Sequence, residues 1–337
     1  MSKLRLLASP RSAGRRLRFG GEELEVEALD ERSFGGVDIA LFSAGKVISK
    51  PFAPIAVRAG AYVIDNSSCF RMDPSVALVT PEVNGDVLDA INAPCIVANP
   101  NCSTIVALVA VTPLHRAATV TRMVVSTYQA ASGAGAAAMA ELEQQARDWS
   151  ADRPLQTEIF KRQYLFNVFS HNTTIGPDGY NEEETKLLTE TRKMWNDDQV
   201  RVAATCVRVP VLRAHSESIN LTFARPLTED RAREILATAP GVRVVDDRAG
   251  NRFPEPLDAA GRDEILVGRI RADRSQDPGM GLELFVCGDQ IRKGAALNAV
   301  QIAERLLNRL TQPARADAAG LRQDRPVASG APRSARC

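Results

Sequence analysis

One cysteine of this sequence stands where backbone chemistry would make it reactive. Cys102 lies in the segment NPNCST, in which Pro100 disfavours helix at the residue before it. The apolar run 103–111 is long enough for a buried helix, so we predict that a helix begins at Asn101 or Cys102. Unpaired N–H groups and the positive end of the helix dipole would stabilise a thiolate there and bind an oxyanion on the group that it attacks. Cys102 is therefore the candidate nucleophile, with a small buried core cysteine as the alternative.

A cysteine nucleophile needs a base or proton shuttle, and the sequence contains three histidines. His115 follows the predicted helix in TPLHRAA and His171 lies in the polar segment FSHNTTIG, so we interpret both as solvated loop residues. His215 closes the run CVRVPVLRAHSES, a predicted strand whose tip turns polar, as expected of a residue at a sheet edge over a cleft. His215 is the candidate partner of Cys102, with a structural histidine as the alternative.

Basic residues in apolar or turn settings are candidates for binding an anionic substrate. Arginine forms bidentate bonds to carboxylate and phosphate, while lysine supplies a point charge. Four positions qualify, each with a solvated surface charge as the alternative: Arg11, Arg71, Lys186 and Arg208. The small-residue turn TYQAASGAGAAA (127–138) leads from a predicted strand into a predicted helix and would let a ligand approach the backbone closely.

The composition favours a cytoplasmic protein that acts on a small molecule. A chain of 337 residues exceeds one ordinary core, so we expect two domains. Because 42 Lys and Arg residues balance 41 Asp and Glu residues, the net charge of +1 creates no field for nucleic acid or an anionic membrane. No apolar run reaches the roughly 18 residues that span a bilayer, and residues 1–20 are too rich in arginine for a signal peptide. The six cysteines show neither a CxxC pair nor metal-ligand spacing, so we expect reduced thiols and no metal.

Residues 1–101 have the pattern of an α/β domain of the dinucleotide-binding type. Five short apolar runs end in small or polar residues, as parallel strands do when their carboxyl ends face a crevice. These runs are KLRLLAS, VDIALFSA, AYVIDNS, VALVTPEV and CIVANPN. The segment PFAPIAVRA (51–59) predicts a crossover helix that opens after Ser49. No GxGxxG turn lies near Met1, so we expect the usual phosphate-cradling loop to be missing from this domain.

From about residue 120 the pattern changes to longer, more alternating strands. We predict an α+β domain with a mainly antiparallel sheet that is covered on one face. Its strands are VTRMVVSTYQ, VRVAATCVRVPV, ESINLTFA, VRVVDD, EILVGRIRAD and GLELFVCGD. Helices are predicted over 136–149, 182–195 and 295–310, and residues 311–337 have the composition of a disordered tail.

Nine motifs occur in an order that resembles the aspartate-semialdehyde dehydrogenase family, from Lys3 to about Leu310. They are LASPRSAG, FSAGKVISK, VIDNSSCFRMDP, LVTPEVN, ANPNCSTI, STYQAASGAG, NEEETK, RVPVLRAHSE and GDQIRKGAALNAVQIAE. The resemblance implies an NADP-dependent homodimeric oxidoreductase of the α/β plus α+β class. Its truncated Rossmann-type domain would comprise 1–101 with 294–310, and its mainly antiparallel catalytic and dimerisation domain would comprise 102–293.

The resemblance also implies roles for individual residues in catalysis and substrate binding. Cys102 would be the nucleophile that forms an acyl-thioester, and His215 the general acid/base. Gln129 would position the acyl group. Glu183 and Arg208 would hold the ammonium group and the α-carboxylate of the amino acid.

Further residues would bind phosphate and the cofactor. Arg71 and Lys186 would bind the phosphate group of the substrate. Arg11 and Ser12 would face the 2′-phosphate of NADP. The nicotinamide side would be lined by Ser132, Gly133, Ala134, Gly135 and Ala136, and Gln290 would close over it.

The activity that the resemblance implies is NADPH-dependent reductive dephosphorylation of L-4-aspartyl phosphate to L-aspartate 4-semialdehyde. This reaction serves the biosynthesis of lysine and diaminopimelate, threonine, methionine and isoleucine. Similar family members open with a strand, a GATGAVG-like turn and a helix before the segment LRLLAS, and this unit supplies the pyrophosphate site. We therefore expect residues 1–337 to bind NADPH more weakly than the same chain extended upstream.

Two alternative functions remain at the level of sequence. A related acyl-phosphate reductase, such as one acting on N-acetylglutamyl phosphate, would share the thioester chemistry. Glu183 argues against it, because a carboxylate that faces an ammonium group has no purpose with an acetylated amine. A non-catalytic paralogue or structural subunit without NADP binding is the second alternative.

Overall fold

The computed structural model describes residues 3–311, which form two compact units. The first unit comprises the residues up to 77 together with 90–98, and the second comprises 78–89 together with the residues from 99 onward. Residues 312–337, which make up most of the predicted disordered tail, lie outside the described residues. Within residues 3–311, no helix is long and apolar enough to cross a membrane.

The first unit is built on a parallel sheet, as its apolar runs predict. Its elements are β1 (Leu6–Ala8), β2 (Arg16–Phe19), β3 (Glu22–Ala28), β4 (Ile39–Phe42), α1 (Lys46–Arg58), β5 (Tyr62–Asp65), β6 (Ala77–Leu78) and β7 (Ile96–Ala98). Strands β4, β5 and β7 pair in parallel within a four-stranded sheet of order β4-β5-β7-β6. Ala53 and Ala56 of α1 pack with Val63 of β5 and with Phe34 and Phe42, which forms the core of this unit.

Three details of the first unit differ from the predictions. KLRLLAS forms β1, but β1 pairs with β3 in a separate three-stranded sheet of order β1-β3-β2. Strands β2 and β3 were not predicted, although Gly20 and Gly21 between them, with φ of 59° and 92°, are a recognised hairpin signal. Helix α1 begins at Lys46 and not after Ser49. Ser49 lies inside the helix because its hydroxyl donates to the buried Asp65 of β5 at 2.7 Å instead of capping the helix.

The second unit is an α+β domain around a seven-stranded sheet. Its strands are β8 (Val120–Gln129), β9 (Phe169–Ser170), β10 (Arg201–Arg208), β11 (His215–Phe223), β12 (Val242–Val244), β13 (Ile265–Ala272) and β14 (Gly281–Gly288). Its helices are α2 (Pro81–Asn84), α3 (Cys102–Ala118), α4 (Ala136–Ser150), α5 (Glu182–Trp195), α6 (Glu229–Ala237), α7 (Pro256–Ala259) and α8 (Leu297–Thr311). The strand order is β12-β13-β14-β11-β8-β10-β9, antiparallel at every neighbouring pair except β12–β13 and β8–β10. The predicted mainly antiparallel sheet is thus confirmed.

Helix α3 forms the centre of the second unit, and every residue from Ser103 to Thr112 is buried. Because α3 continues to Ala118, His115 lies in its last turn and not in a following loop, so the prediction of a solvated loop histidine is wrong. The half-buried His115 ring stacks on Trp195 of α5, with 4.0 Å between ring centroids. Its Nδ1 accepts the backbone N–H of Val120 at 3.2 Å, which joins the end of α3 to the start of β8.

Helix α8 groups with the second unit, whereas the sequence places 294–310 with the first domain. Asn298 donates to Asn99 Oδ1 at 2.5 Å and to the carbonyl of Val79 at 3.0 Å. Arg309 donates to the carbonyl of Leu88 at 3.0 Å. These polar contacts with Val79, Leu88 and Asn99 fix the position of α8 within the second unit, and an amphipathic pattern does not reveal them.

Candidate active site

Cys102 is the first residue of α3, as the sequence predicts. The N-cap residue is Asn101, whose side-chain oxygen accepts the backbone N–H groups of Ser103 at 3.0 Å and Thr104 at 3.3 Å. The expectation that the first N–H groups of this helix are unpaired is therefore wrong for these two residues. The dipole of a 17-residue helix still favours a thiolate at Cys102, whose side chain is partly accessible.

Asn101 also connects the start of α3 to α5. Its side-chain amide donates to Glu183 Oε1 at 2.8 Å, and its backbone N–H donates to Glu190 Oε2 at 2.6 Å. Both carboxylates are buried. The residue before Cys102 is thus held on both sides by hydrogen bonds that an apolar-pattern analysis does not predict.

Gln129 ends β8 and is buried next to the same helix terminus. Its amide nitrogen lies 3.0 Å from Ser103 Oγ, 3.4 Å from Thr127 Oγ1 and 3.3 Å from Glu183 Oε1. The structure therefore brings Gln129, Glu183 and the start of α3 together. Neither side chain belongs to a local pattern, so residue-by-residue analysis missed both and only the family resemblance suggested them.

Glu183 lies in the first turn of α5, which is fixed by a capping box between Asn181 and Glu184. Burial raises the pKa of Glu183, but Lys186 at 3.1 Å, together with His171 and the Asn101 amide, more than offsets this and lowers the pKa to about 2. Glu183 is therefore a carboxylate at neutral pH. The expected phosphate ligand Lys186 is in this structure the ion-pair partner of Glu183.

Arg208 ends β10 and is only 3% exposed. Its Nε donates to Asn172 Oδ1 at 3.2 Å, its Nη1 to the carbonyl of Ala130 at 3.1 Å, and its Nη2 to His171 Nε2 at 2.8 Å. All three acceptors are uncharged groups. Within residues 3–311, Arg208 is thus a buried guanidinium without a carboxylate among its hydrogen-bond partners.

His215 is fully buried and is the first residue of β11, not the end of the preceding strand as predicted. The chain turns between β10 and β11 at Ala214, whose φ is 72°. His215 Nδ1 accepts the backbone N–H of Ala130 at 3.1 Å, and Nε2 has no hydrogen-bond partner among the described residues. Burial and the nearby Arg208 lower the pKa of His215 to about 3, so the ring is neutral.

The turn between β8 and α4 passes close to Arg208 and His215. A Cβ at Gly133 would lie 2.9 Å from His215 Nε2 and 2.9 Å from Arg208 Nη1, so only glycine fits there. Gly135, with φ of 96°, precedes α4 and requires the left-handed region. The strand, small-residue turn and helix agree with the sequence prediction, and the exposed part of the turn comprises Gly133, Gly135 and Ala136, with Ala134 partly buried.

Gln290 connects this turn to the segment before β11. It is buried, its side-chain oxygen accepts the N–H of Ala214 at 3.1 Å, and its amide contacts Ser132 Oγ. The following π-helical segment, Arg292–Ala296, brings Gly294 against Cys102, because a Cβ at Gly294 would lie 3.0 Å from Cys102 Cβ. Gly294 is therefore a further residue of the site that the sequence pattern did not indicate.

His171 is buried in the site, so its interpretation as a solvated loop histidine is wrong. Its ring lies between Arg208 and Thr173 Oγ1, which is 3.1 Å from Nδ1. Burial and the neighbouring Arg208 and Lys186 lower its pKa to about 4, against the opposing effect of Glu183. Because the residues around His171 in the sequence are polar, the sequence pattern predicted an exposed side chain.

Three expected ligand residues belong to the first unit. Arg71 is buried and donates to the carbonyl of Asn66 at 2.9 Å. Arg11 is exposed and Ser12 partly buried, in the short helical turn Pro10–Ser12. Among the described residues, Cys69, Cys95, Cys102, Cys206 and Cys287 are free thiols, and no three His, Cys, Asp or Glu side chains are placed to share a metal ion.

Two protein-family models match the chain. The family described as "Semialdehyde dehydrogenase, NAD binding domain" matches residues 1–91. The family described as "Semialdehyde dehydrogenase, dimerisation domain" matches residues 111–293. The first match covers most of the first unit, and the second match covers most of the second unit.

Curated relatives and solved structures agree with these matches. The chain is 52% identical to the aspartate-semialdehyde dehydrogenase of Synechocystis sp., over 92% of this chain and 90% of that protein. It is 49% identical to the aspartate-semialdehyde dehydrogenase of Aquifex aeolicus, over 91% of this chain and 90% of that protein. The crystal structure of aspartate semialdehyde dehydrogenase II of Vibrio cholerae, complexed with ASA, matches with a TM-score of 0.87 at 41% identity, covering 91% of this chain and 90% of that one.

The buried neutral state of His171 predicts a specific dependence of stability on pH. An unfolded histidine takes up a proton below about pH 6.5, whereas folded His171 does so only near its lowered pKa. The free energy of unfolding of wild type should therefore fall relative to that of His171→Gln as the pH falls from 6.5 to 4, by up to about 1.4 kcal/mol per pH unit. Urea unfolding followed by the fluorescence of Trp149 and Trp195, both in the second unit, measures this difference. Parallel pH profiles for the two proteins would contradict it.

Proposed function

The chain belongs to the aspartate-semialdehyde dehydrogenase family, and we propose that it converts L-4-aspartyl phosphate to L-aspartate 4-semialdehyde with Cys102 as the nucleophile. The observation that carries the proposal is one buried cluster in the second unit. The cluster is connected by hydrogen bonds and short contacts around the first residue of α3, and it comprises Asn101, Cys102, Gln129, Glu183, Arg208 and His215. The cluster contains a residue of suitable chemistry for the attack on the acyl group, for the hydrogen bond to the developing negative charge and for recognition of the amino-acid head group.

Two oppositely charged residues would recognise the amino-acid head group. Glu183 is ionised and buried, which suits an ammonium partner. Arg208 has only neutral acceptors, and three bonds leave two of its five N–H groups for a carboxylate. An N-acetylated amine would gain nothing from Glu183, which supports aspartyl phosphate over the acetylated glutamyl substrate.

Cys102 would carry the acyl group. Its sulfur attacks the acyl carbon of the acyl phosphate, a C–S bond forms, the C–O bond to phosphate breaks, and phosphate leaves. The Gln129 amide lies beside the start of α3 and would hold the acyl group at this position. Arg71 and Lys186 would bind the phosphate group by their charge.

His215 would act through Nε2. The backbone N–H of Ala130 can only donate, so Nδ1 carries no proton and the neutral ring holds its proton on Nε2. The Nε2–H group would then donate a hydrogen bond to the sulfur or to the acyl oxygen as negative charge develops there. The absence of a protein partner for Nε2 among the described residues supports this use.

The turn between β8 and α4 is the proposed contact for the nicotinamide group of the cofactor. Because Gly133 has no side chain, its backbone lies close to Nε2 of His215, and Ser132 and Gln290 border the same turn. Arg11, Ser12 and residues 132–136 are proposed to hold NADP, with Arg11 and Ser12 at its 2′-phosphate. When bound, NADPH supplies the hydride that reduces the acyl carbon. Cys102 then leaves as the C–S bond breaks and the aldehyde forms.

We further propose that the enzyme is a cytoplasmic homodimer. The dimerisation-domain match covers the seven-stranded sheet from β8 to β14. On the face of β8 opposite to Gln129, Tyr128 is 38% exposed and lies 6.2 Å from the ring of Phe285 on β14. These aromatic side chains suit a partner surface. The free thiols among the described cysteines suit a reducing compartment.

Replacement of the nucleophile tests the proposal. Cys102→Ala in a chain that binds NADP should lose all measurable turnover while keeping its unfolding transition, because it removes the atom that carries the acyl group. Cys69→Ala, Cys95→Ala, Cys206→Ala and Cys287→Ala should retain much of the activity. An NADPH-coupled assay in the direction of semialdehyde oxidation measures both, and equal loss from one of the four controls would overturn the assignment of Cys102.

Replacement of the two anion ligands should separate the substrates. Arg71→Ala should raise the KM for phosphate more than the KM for the semialdehyde, and Arg208→Ala should do the opposite. Each lost charged contact should weaken binding by about 1.5–3 kcal/mol. Arg231→Ala, which removes an exposed arginine paired with Glu234 on α6, is the control and should change neither KM. A uniform rise in both KM values for Arg71→Ala and Arg208→Ala would mean that these residues act by general electrostatics.

A further inference from the structure

His171 is held by its backbone as well as by its ring. Its backbone N–H donates to the carbonyl of Cys206 on β10 at 2.9 Å, next to the pairing of β9 with β10. Its Nε2 lies 2.8 Å from Arg208 Nη2, and its Nδ1 lies 3.1 Å from Thr173 Oγ1. The ring therefore bridges two fixed groups and is 7% exposed.

The donors and acceptors fix the protonation of this ring. A guanidinium only donates, so Nε2 must accept and carries no proton. The neutral ring then holds its proton on Nδ1 and donates it to Thr173 Oγ1. Thr173 Oγ1 also accepts the backbone N–H of Glu183 at 3.4 Å, at the start of α5. A continuous series of hydrogen bonds thus runs from Arg208 through His171 and Thr173 to Glu183.

One end of this series is the Arg208 guanidinium and the other is the backbone N–H of Glu183, and these are the two residues that would bind the amino-acid head group. We propose that His171 and Thr173 are positioning residues that set the placement of Arg208 relative to Glu183, and so the selectivity for a substrate with both an α-ammonium and an α-carboxylate group. This inference rests on the proposed function. The structure explains why a neutral acceptor occupies position 171. A carboxylate there would neutralise Arg208 and compete with the substrate carboxylate, whereas a protonated ring would repel the guanidinium.

Three substitutions of His171 separate the effect of losing the hydrogen-bond acceptor from the effect of adding a charge. His171→Gln keeps a neutral acceptor, so its KM for L-aspartate 4-semialdehyde should stay within about threefold of wild type. His171→Met removes the acceptor and should raise that KM about tenfold or more, as the loss of a hydrogen bond to a charged group does. His171→Glu keeps an acceptor but adds a negative charge, and should raise that KM at least as much. The KM for phosphate should change less than about threefold in all three.

Thr173 and His115 provide matched comparisons. Thr173→Val removes the hydroxyl with little change of shape and should raise the KM for the semialdehyde several-fold, whereas Thr173→Ser should restore it. His115→Gln replaces a partly buried histidine that stacks on Trp195 outside the site, and should change neither KM.

Selectivity distinguishes positioning from a general loss of stability. The ratio of kcat/KM for L-aspartate 4-semialdehyde to that for 3-aminopropanal, which lacks the carboxylate, should fall in His171→Met and His171→Glu but not in His171→Gln. A variant that is only less stable would lower both kcat/KM values together and leave the ratio unchanged. Equal effects of Gln, Met and Glu, or an equal rise in the KM for phosphate, would overturn the inference. If wild type in a chain that binds NADP does not oxidise the semialdehyde in the presence of phosphate, the proposed function itself fails.

Discussion

The buried guanidinium of Arg208 is the constraint on which the site depends. An ion removed from water without an opposite charge is costly, and proteins usually pair it. Here its three acceptors are an amide oxygen, a backbone carbonyl and a neutral imidazole nitrogen. The positive charge is therefore oriented but not neutralised. An anionic substrate group gains the most from such a charge, because the surrounding protein excludes water and strengthens the electrostatic interaction.

The protonation states of the neighbouring polar side chains are compatible with the positive charge of Arg208. His171 and His215 both have lowered pKa values and stay neutral, in part because Arg208 lies close to each. They hold their protons on opposite ring nitrogens, since His171 must accept at Nε2 and His215 at Nδ1. Glu183 keeps its negative charge through Lys186, which lowers its pKa. The site thus combines the Arg208 guanidinium, the Glu183 carboxylate with its Lys186 partner, and two neutral rings around the start of α3.

The sequence predicted those helices and strands whose positions follow from the pattern of apolar and charged residues. The helix start at Cys102 follows from Pro100 and a long apolar run, and helix α5 has the predicted bounds 182–195 because acidic and basic turns mark its ends. Hydrogen bonds that join distant segments were not predictable in this way. Asn101 to Glu183, Asn298 to Asn99 and His171 to Arg208 each connect residues between 37 and 199 positions apart. For the same reason the burial of His171 was missed, and Gln129 and Glu183 were suggested only by the family resemblance.

The central claim is that this cluster supports an acyl group on Cys102, and the covalent intermediate itself is the direct test. A chain that binds NADP, incubated with NADP and L-aspartate 4-semialdehyde without phosphate and then quenched in acid, can be digested and analysed by mass spectrometry. The account predicts that the peptide containing Cys102 gains the mass of an aspartyl group, and that added phosphate removes it. An adduct on another cysteine, or turnover with no adduct on Cys102 at any quench time, would contradict the account.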